Sequence, residues 1–473
     1  MAGPGVLTNA FWLALVALVV GTSRFGTNWW IAAHYGAAEH GRFAVVFQLI
    51  SAVIVVCELG IASAYGVRQI AAARDAATGT LGRLINGLAV SLLVVHGLAL
   101  CVVLGVALPW TERFGISAAL LTPAAFWLIG FAFYRVSVMV ATGCERAEAA
   151  LAATLLFYGA WIFWLIVGTG RGVSLAALAT GWAWTLPVGG LLACGVVTPM
   201  LHRRGVTWRM GGTRSVASAV PLILQAVPYG LPVVGTLLVP GILCLLSAWA
   251  RPAESVSHFQ ICYAMAILAN LAAQPLGAAV LARWSRGHLA GDMPSGTELN
   301  RAVRLSGGVA IIALGLHAMA GAWLLGRLGA GYAAEVNLLI GLAAVISLDA
   351  VRVVMDHFLL AIGRVRRVAW AEGGRLAVLV MAGVPLVHVH GPMGAVIALA
   401  MATILNTVLK TGFVTVAMGA GFWAPVSVVA ATSTMALLLP RGWPVAVICA
   451  VAVILLSLLK PPVRRSSAGP PSV

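Results

Sequence analysis

Long apolar runs separated by short polar breaks extend along the whole chain. Each run is roughly 20 residues long, which is the length of an α-helix that crosses the hydrocarbon core of a bilayer. The apolar positions within a run are continuous rather than alternating, which excludes the strands of a membrane β-barrel. The pattern therefore predicts an all-α polytopic membrane protein with about 12–14 transmembrane helices. Our assignment has fourteen spans, at residues 7–33, 42–66, 84–109, 117–142, 149–168, 174–200, 215–249, 256–282, 305–328, 335–361, 370–388, 391–413, 423–440 and 443–459.

The composition agrees with a membrane location and excludes several classes of function. Of the 473 residues, 61% are hydrophobic and 9% are charged, whereas roughly a quarter of the residues in a soluble domain are charged. The polar breaks are short, so we expect neither a catalytic domain nor a soluble domain that binds nucleic acid. The seven cysteines are scattered singly, and neither lysine lies in a Gly-rich phosphate loop. We therefore expect no metal, no cofactor and no enzymatic activity.

Basic residues concentrate in every second polar segment between the predicted spans. If the N-terminus is cytoplasmic, twenty of the 29 Lys and Arg residues lie in inside loops or at inner helix ends, and six lie outside. The positive-inside rule then predicts cytoplasmic N- and C-termini in a bacterial inner membrane. The net charge of +16 is expected to face anionic lipid headgroups. This assignment puts Arg375 and Lys410 at inner helix ends and His40 in an outer loop, and it predicts no cleavable signal peptide.

Two short stretches of the chain repeat with nearly the same offset. A shift of 215 residues places Arg68 on Arg283, and a shift of 220 places residues 141–146 on 361–366. We infer a six-helix unit used twice as parallel repeats around a central cavity, an arrangement typical of transporters. The predicted organisation is a first lobe at 1–205, a second lobe at 206–417, two further helices at 418–460 and a disordered cytoplasmic tail at 461–473. Four prolines interrupt the long seventh span: Pro221, Pro228, Pro232 and Pro240.

The first two spans contain charges that are costly in a bilayer. A charged side chain in the hydrocarbon layer costs at least ~2.5–3.5 kcal/mol, so it faces protein or water and usually has a function. Arg24 lies in a polar stretch of span 1 that ends with Asn28, and its guanidinium could grip a diphosphate. The alternatives are a structural ion pair or a side chain that reaches the membrane surface. Glu58 in span 2 could pair with Arg24, carry a coupling proton, or pair with Arg68.

A second set of charges lies in span 10. Asp349, Arg352 and Asp356 are spaced at i, i+3 and i+7 and therefore share one helix face. The set almost neutralises itself, which favours a structural network, but one carboxylate is expected to remain unpaired. Arg135 in span 4 is its candidate partner across the lobe interface when the cytoplasmic side is closed. Proton coupling at one of the acids is the alternative.

Several segments carry a resemblance to bacterial polysaccharide-export flippases. Tyr35-Gly36-Ala37-Ala38-Glu39-His40-Gly41-Arg42-Phe43 resembles the turn that leads into the second span of that family. The end of the span, with Glu58-Leu59-Gly60-Ile61-Ala62 and then Val67-Arg68-Gln69-Ile70-Ala71, is similar to the family's acidic-Leu-Gly motif and basic residue. The Thr142-Gly143 turn is similar too. The two-lobe plan resembles the multidrug/oligosaccharidyl-lipid/polysaccharide exporter superfamily, which also holds the lipid II flippase and multidrug/cation antiporters.

The resemblance implies a V-shaped central cavity and alternating access. It implies a flippase that moves an undecaprenyl-pyrophosphate-linked oligosaccharide from the inner to the outer leaflet for surface or exopolysaccharide synthesis. Under this interpretation Arg24, Asn28 and Arg135 bind cargo, while Glu58 and the three charges of span 10 couple an ion or gate the cavity. The implied partners are the lipid-linked oligosaccharide, anionic lipids, a proton or sodium as coupling ion, and polysaccharide polymerase and chain-length proteins.

Two other functions are compatible with the sequence. A small-molecule or multidrug cation antiporter of the same superfamily would need unpaired acids in its cavity, whereas a pyrophosphate carrier needs arginines. Span 7 departs from the antiporter pattern, because it offers Gln225 and no acid. A polyprenyl-sugar glycosyltransferase, polymerase or ligase would need large outer loops, and all the predicted outer loops are short.

Overall fold

The computed structural model describes residues 6–58, 60–73, 78–107, 118–206, 219–230, 238–270, 273–291 and 295–418. Within these ranges all regular secondary structure is helical, which confirms the all-α class. The predicted spans 423–440 and 443–459 and the tail 461–473 lie outside the described residues. The α-helices are α1 Val6–Glu58, α2 Gly66–Ala73, α3 Thr78–Val102, α4 Ala118–Gly143, α5 Ala147–Gly170, α6 Leu175–His202, α7 Ala219–Gly230, α8 Val239–Ala250, α9 Ala253–Ala266, α10 Ala273–Leu289, α11 Gly296–Gly326, α12 Ala330–Ala333, α13 Val336–Ala361, α14 Val365–His390 and α15 Pro392–Met418.

Nine helices of the described ranges are long and apolar enough to cross a membrane. They are α1, α3, α4, α5, α6, α11, α13, α14 and α15, and they contain ten of the predicted spans, because α1 holds the first two. The predicted boundaries are close to those of the helices, since the apolar runs set their length. The chain is therefore an all-α, multi-pass membrane protein.

The first two spans form one continuous element, α1, which folds back on itself at Gly36. This residue has φ 82° and ψ 170°, a non-helical conformation that glycine adopts without a steric penalty. Side chains on opposite sides of the turn then face each other. His40 Nε2 lies 3.0 Å from the Asn28 side-chain oxygen, and the Arg24 guanidinium lies 5.8 Å from the centre of the Phe47 ring. The helix is therefore a hairpin of two antiparallel spans without an intervening loop.

Spans 2 and 8 are interrupted in the described ranges. A π-helical turn at Ile61–Tyr65 separates α1 from α2, and a 3₁₀ turn at Ile267–Asn270 follows α9 before α10 begins. The described part of span 7 comprises α7 and α8, and the effect of its prolines on the segment between residues 230 and 238 stays a prediction. Pro240 lies in the first turn of α8, where a missing backbone N–H leaves no hydrogen bond unmade. The interruption of span 8 was not predicted.

For description we call residues 6–206 the first lobe and residues 219–418 the second lobe, after the organisation that the sequence predicts. The first lobe contains a buried aromatic core, in which Trp127, Trp161 and Trp182 lie with ring centres 4.8–5.6 Å apart. Close approach of α4 and α6 depends on small residues, as in other membrane bundles. A methyl group on Gly130 would lie 2.6 Å from the Leu186 carbonyl carbon. In the second lobe, α13 is the central helix, which contacts α9, α10, α11, α14 and α15.

Candidate transport site

The two lobes contact each other at the end of the bundle that contains the α1 turn, which we call the Gly36 end. The second half of α1 packs along α9 there. The backbone of Gly41 lies directly against Ala253: a methyl group on Gly41 would lie 2.6 Å from the Ala253 carbonyl carbon and closer to its oxygen. Further along, Gln48 Nε2 donates to Gln260 Oε1 at 3.1 Å. The absence of a Cβ at Gly41 therefore allows this close approach of the two lobes.

A chain of hydrogen bonds crosses the lobe interface at the same end. His40 is completely buried, and its two ring nitrogens lie 3.0 Å from Asn28 Oδ1 and 2.7 Å from Ser257 Oγ. Ser257 Oγ in turn lies 2.6 Å from the Tyr332 hydroxyl. The prediction that His40 lies in an outer loop is therefore wrong. The helical hairpin around Gly36 continues through this position and turns His40 toward the second lobe.

The lobes also contact each other at the opposite end, which we call the Gly143 end after the turn between α4 and α5. The backbone of Gly60, at φ 73°, lies against α7: a methyl group there would lie 2.6 Å from the Gly230 nitrogen. Two side-chain hydrogen bonds accompany this contact, from the Tyr65 hydroxyl to Gln225 Oε1 at 2.5 Å and from Arg68 to the Tyr229 hydroxyl at 2.6 Å.

A charged pair joins the lobes at the Gly143 end as well. Arg286 of α10 lies 2.9 Å from the Glu145 carboxylate in the turn that follows α4. Glu145 has φ 55°, a conformation that costs energy for a residue with a side chain. The lobes thus contact each other at both ends of the bundle.

Arg24 is a half-buried basic side chain of α1. Its Nε is buried without a hydrogen-bond partner, and its guanidinium faces the Phe47 ring. Among the described residues, no carboxylate lies within ion-pair distance of Arg24. Within the described part of the chain, the Arg24 guanidinium therefore has no counter-charge. Arg24 lies one helical turn before Asn28 and therefore on the same face of α1, and the Asn28 side chain contacts His40 at the lobe interface.

Asn28, the second predicted cargo ligand, is fully engaged in this closed conformation. Its Nδ2 donates to the Arg24 backbone carbonyl at 2.7 Å, and its Oδ1 faces His40. Its side chain links the helical turn that carries Arg24 to the hydrogen-bond chain at the lobe interface. Contact between Asn28 and cargo stays a prediction, and it requires the bond to His40 to break.

Glu58 and Arg135 form a bidentate ion pair within the first lobe. Arg135 Nε lies 2.6 Å from Glu58 Oε1, and its NH2 lies 2.8 Å from Oε2. Glu58 is 2% exposed and Arg135 is 26% exposed, so the pair faces an accessible space on the side of the arginine. The structure thus places Arg135 on Glu58 rather than on the acids of span 10. Glu58 pairs with neither Arg24 nor Arg68, the two partners considered from the sequence.

The three charges of span 10 belong to a larger network in the second lobe. Arg352 is completely buried in α13 and forms a bidentate pair with Asp349, at 2.7 and 3.0 Å. Its NH1 lies 2.8 Å from Asp356 and 2.8 Å from Glu372 of α14. Lys410 of α15 contacts both Asp356 and Glu372.

Arg375 completes the network. It lies on α14, 3.0 Å from Asp349 and 3.7 Å from Glu372. Three carboxylates and three basic groups from three helices therefore balance each other, with a formal net charge of zero. The expectation of one unpaired carboxylate is wrong, because α14 and α15 supply the missing partners.

The positions predicted for Arg375 and Lys410 are also wrong. Both side chains are almost completely buried, at 1% and 0% exposure, instead of lying at the membrane surface. Glu372, Arg375 and Lys410 were not predicted from the sequence as members of the network. The available signal was the spacing of Glu372 and Arg375 at i, i+3 on α14, together with a lysine inside an apolar run.

A small cavity of about 20 Å³, roughly the space that one water molecule needs, opens beside this network. Its polar lining comes from Tyr263, Asp349, Arg375 and Thr403, and aliphatic side chains of α8, α13 and α15 form the rest. Arg375 NH2 donates to Thr403 at 3.3 Å, while its Nε and NH1 have no hydrogen-bond partner. The charged network therefore borders a small space next to the Tyr263 face of α9.

No protein-family model matches the sequence, and no curated protein matches it. Solved structures do match. A multidrug resistance MATE family transporter of the MOP superfamily, in an inward-facing conformation, has a TM-score of 0.62 at 16% identity, covering 86% of this chain and 98% of its own. The lipid II flippase MurJ in an inward closed conformation has a TM-score of 0.67 at 12% identity, covering 94% and 98%.

A MOP superfamily transporter from Pyrococcus furiosus is similar as well. Its TM-score is 0.66 at 14% identity, and the match covers 87% of this chain and 95% of that one. At such low identities the similarity establishes the fold. The chain is a helical membrane protein that shares the fold of MATE transporters and the MurJ flippase.

Proposed function

We propose that the chain is a flippase that moves an undecaprenyl-pyrophosphate-linked oligosaccharide from the inner to the outer leaflet by ion-gradient-coupled alternating access. The fold that it shares with MATE transporters and MurJ supports a transporter rather than an enzyme. The Gly143 end is the cytoplasmic side in this proposal. The glycan would then serve surface or exopolysaccharide synthesis, in concert with polymerase and chain-length proteins.

The uncompensated guanidinium of Arg24 is the observation on which the choice of cargo rests. Arg135, Arg352, Arg375 and Lys410 all contact carboxylates, whereas Arg24 forms no ion pair among the described residues. A guanidinium between the lobes can bind a diphosphate through two parallel hydrogen bonds, which are strong away from water. A cationic drug would be repelled from the same position.

Arg135 supplies a second cation when Glu58 releases it. Because the arginine side of this pair is the accessible one, an entering diphosphate can compete with the Glu58 carboxylate. Protonation of Glu58 would favour that exchange, which ties cargo binding to a proton in the first lobe. Asp349, Arg352 and Asp356 gate the second lobe in this scheme, through the network that they form with α14 and α15.

The experiment is translocation of undecaprenyl-pyrophosphate oligosaccharide in liposomes, with and without a proton or sodium gradient. We expect gradient-dependent translocation by the natural protein and its loss in Arg24→Ala. Arg327→Ala is a matched control, because Arg327 also lies over an aromatic ring, 5.1 Å from Trp323, but is exposed. Normal translocation by Arg24→Ala would refute the role of Arg24.

An antiporter of cationic small molecules is the second candidate, favoured by the similarity to MATE transporters. The paired state of Glu58, Asp349, Asp356 and Glu372 counts against it, because such a carrier needs an available acid. Efflux of a cationic dye from the same liposomes, without translocation of the lipid-linked oligosaccharide, would establish this function instead.

A further inference from the structure

The Lys410 ammonium occupies a position in the second lobe that is typical of a bound metal cation. It bridges the carboxylates of Asp356 on α13 and Glu372 on α14, and its side chain is completely buried. Asn406, one helical turn before Lys410, donates to the same Glu372 oxygen at 3.2 Å. The ammonium thus joins two acids on two different helices, as a coordinated cation would.

The charge balance leaves no place for a second cation. Asp349, Asp356 and Glu372 are matched by Arg352, Arg375 and Lys410, so an additional Na⁺ would leave an uncompensated positive charge in a buried site. Burial of an unpaired charge costs several kcal/mol. Within the described residues, no group of three His, Cys, Asp or Glu side chains is arranged to hold a metal ion.

Removal of the ammonium would change this balance. The network would carry a net charge of −1, with oxygen atoms of Asp356 and Glu372 facing the vacated position. The Asn406 side-chain oxygen, which is buried and has no hydrogen-bond partner, lies nearby. Carboxylate and amide oxygens suit a hard cation such as Na⁺ rather than a soft metal.

We propose that Lys410 is a tethered resident cation, which takes the place of an exchangeable metal ion between Asp356 and Glu372. The second lobe of the natural protein therefore binds no Na⁺ at these acids, and a Na⁺ site forms when the ammonium is removed. This inference deepens the coupling step of the proposed function and rests on it for its role in transport. If no Na⁺ binds at these acids, the coupling ion is a proton, or the ion binds at Glu58 in the first lobe.

The test measures thermal unfolding of the purified full-length protein in NaCl and in N-methylglucamine chloride at equal ionic strength. We expect the Tm of the natural protein to be the same in both salts. Lys410→Met keeps the length of the side chain without its charge, and its Tm should rise by at least about 2 °C in Na⁺, because a ligand that binds only the folded state stabilises it. Lys410→Arg, which retains a tethered charge, should show no response.

The double variant Lys410→Met/Glu372→Gln restores neutrality and should lose the Na⁺ response. A Tm of Lys410→Met that is equal in the two salts would overturn the proposal. If Lys410→Met does not fold, binding of radioactive Na⁺ to the natural protein decides: saturable binding that Glu372→Gln abolishes overturns the proposal, and its absence supports it. No lipid-linked cargo enters either assay, so failure of the flippase proposal would be seen separately.

Discussion

Substitution of Gly41 tests whether the lobe contact at the Gly36 end is a gate. In Gly41→Ala the new methyl group would lie 2.6 Å from the Ala253 carbonyl carbon and 3.1 Å from its Cα. Carbon atoms pack at about 3.5–4 Å, so α1 and α9 must separate by roughly 1 Å. Both obstructing atoms belong to the backbone, and no side-chain rotation can relieve the clash.

The expected penalty follows from the contacts that this separation disturbs. Overpacking by one methyl group costs about 1–3 kcal/mol. The hydrogen bond between His40 and Ser257, at 2.7 Å, would lengthen, at about 1 kcal/mol. A total of at least about 2 kcal/mol shifts the equilibrium from closed to open at this end by roughly 30-fold.

The assay is cross-linking of Gln48→Cys to Gln260→Cys with a short bifunctional thiol reagent, in a background without native cysteines. The cross-linking rate should fall when Gly41→Ala is added, by up to roughly 30-fold, because the rate is proportional to the population of the closed state. Gly159→Ala in α5 is the matched control, because a methyl group at Gly159 meets no atom within 4 Å. An unchanged rate in a folded Gly41→Ala protein would refute the gate.

Two further predictions concern the Gly143 half of the bundle. Glu58→Gln leaves Arg135 without its counter-charge and should cost about 2–3 kcal/mol of stability, less than for a fully buried pair because Arg135 is 26% exposed. Thermal unfolding should show Glu58→Leu/Arg135→Met to be more stable than Glu58→Gln, and an additive loss would contradict the pairing. Gly60→Ala should raise the labelling rate of Tyr65→Cys by opening the contact with α7. Gly172→Ala, at φ 66° with no atom within 4 Å, controls for backbone strain, and an equal increase in that variant would contradict the gate at Gly60.

The spans were predictable because their length is set by the membrane and their apolar runs are continuous. The hairpin around Gly36 was less accessible to sequence reasoning. The chain reverses at a single glycine and needs no polar loop. The polar residues that follow Gly36 were nevertheless interpreted as an exposed turn, although the helix continues through them. His40 was therefore assigned to water, although helical geometry places it against Ser257.

The second-lobe network could be predicted only in part. Asp349, Arg352 and Asp356 lie within eight residues of each other, and helical periodicity alone puts them on one face. Glu372 and Lys410 are separated by 38 residues, and their contact depends on how α14 packs against α15. The positive-inside rule assigned Lys410 to an inner helix end. The rule does not consider that a basic side chain can be neutralised by carboxylates on neighbouring helices.

The charge-balanced network also has consequences for how the chain enters the membrane during synthesis. α14 has the lowest mean hydropathy of the long helices in the described ranges, and it carries Glu372 and Arg375 in its interior. Each of these charges costs at least ~2.5–3.5 kcal/mol in lipid when unpaired, so α14 alone is a poor substrate for insertion.

Its partners are synthesised on either side of it. The acids and Arg352 of α13 precede α14, and Lys410 of α15 follows it by about one membrane crossing. The three helices therefore have to leave the insertion machinery together, or wait beside it until the last one arrives. A nascent chain that stops before α15 would lack the Lys410 charge beside Glu372, which makes α15 the segment that commits the second lobe to the bilayer.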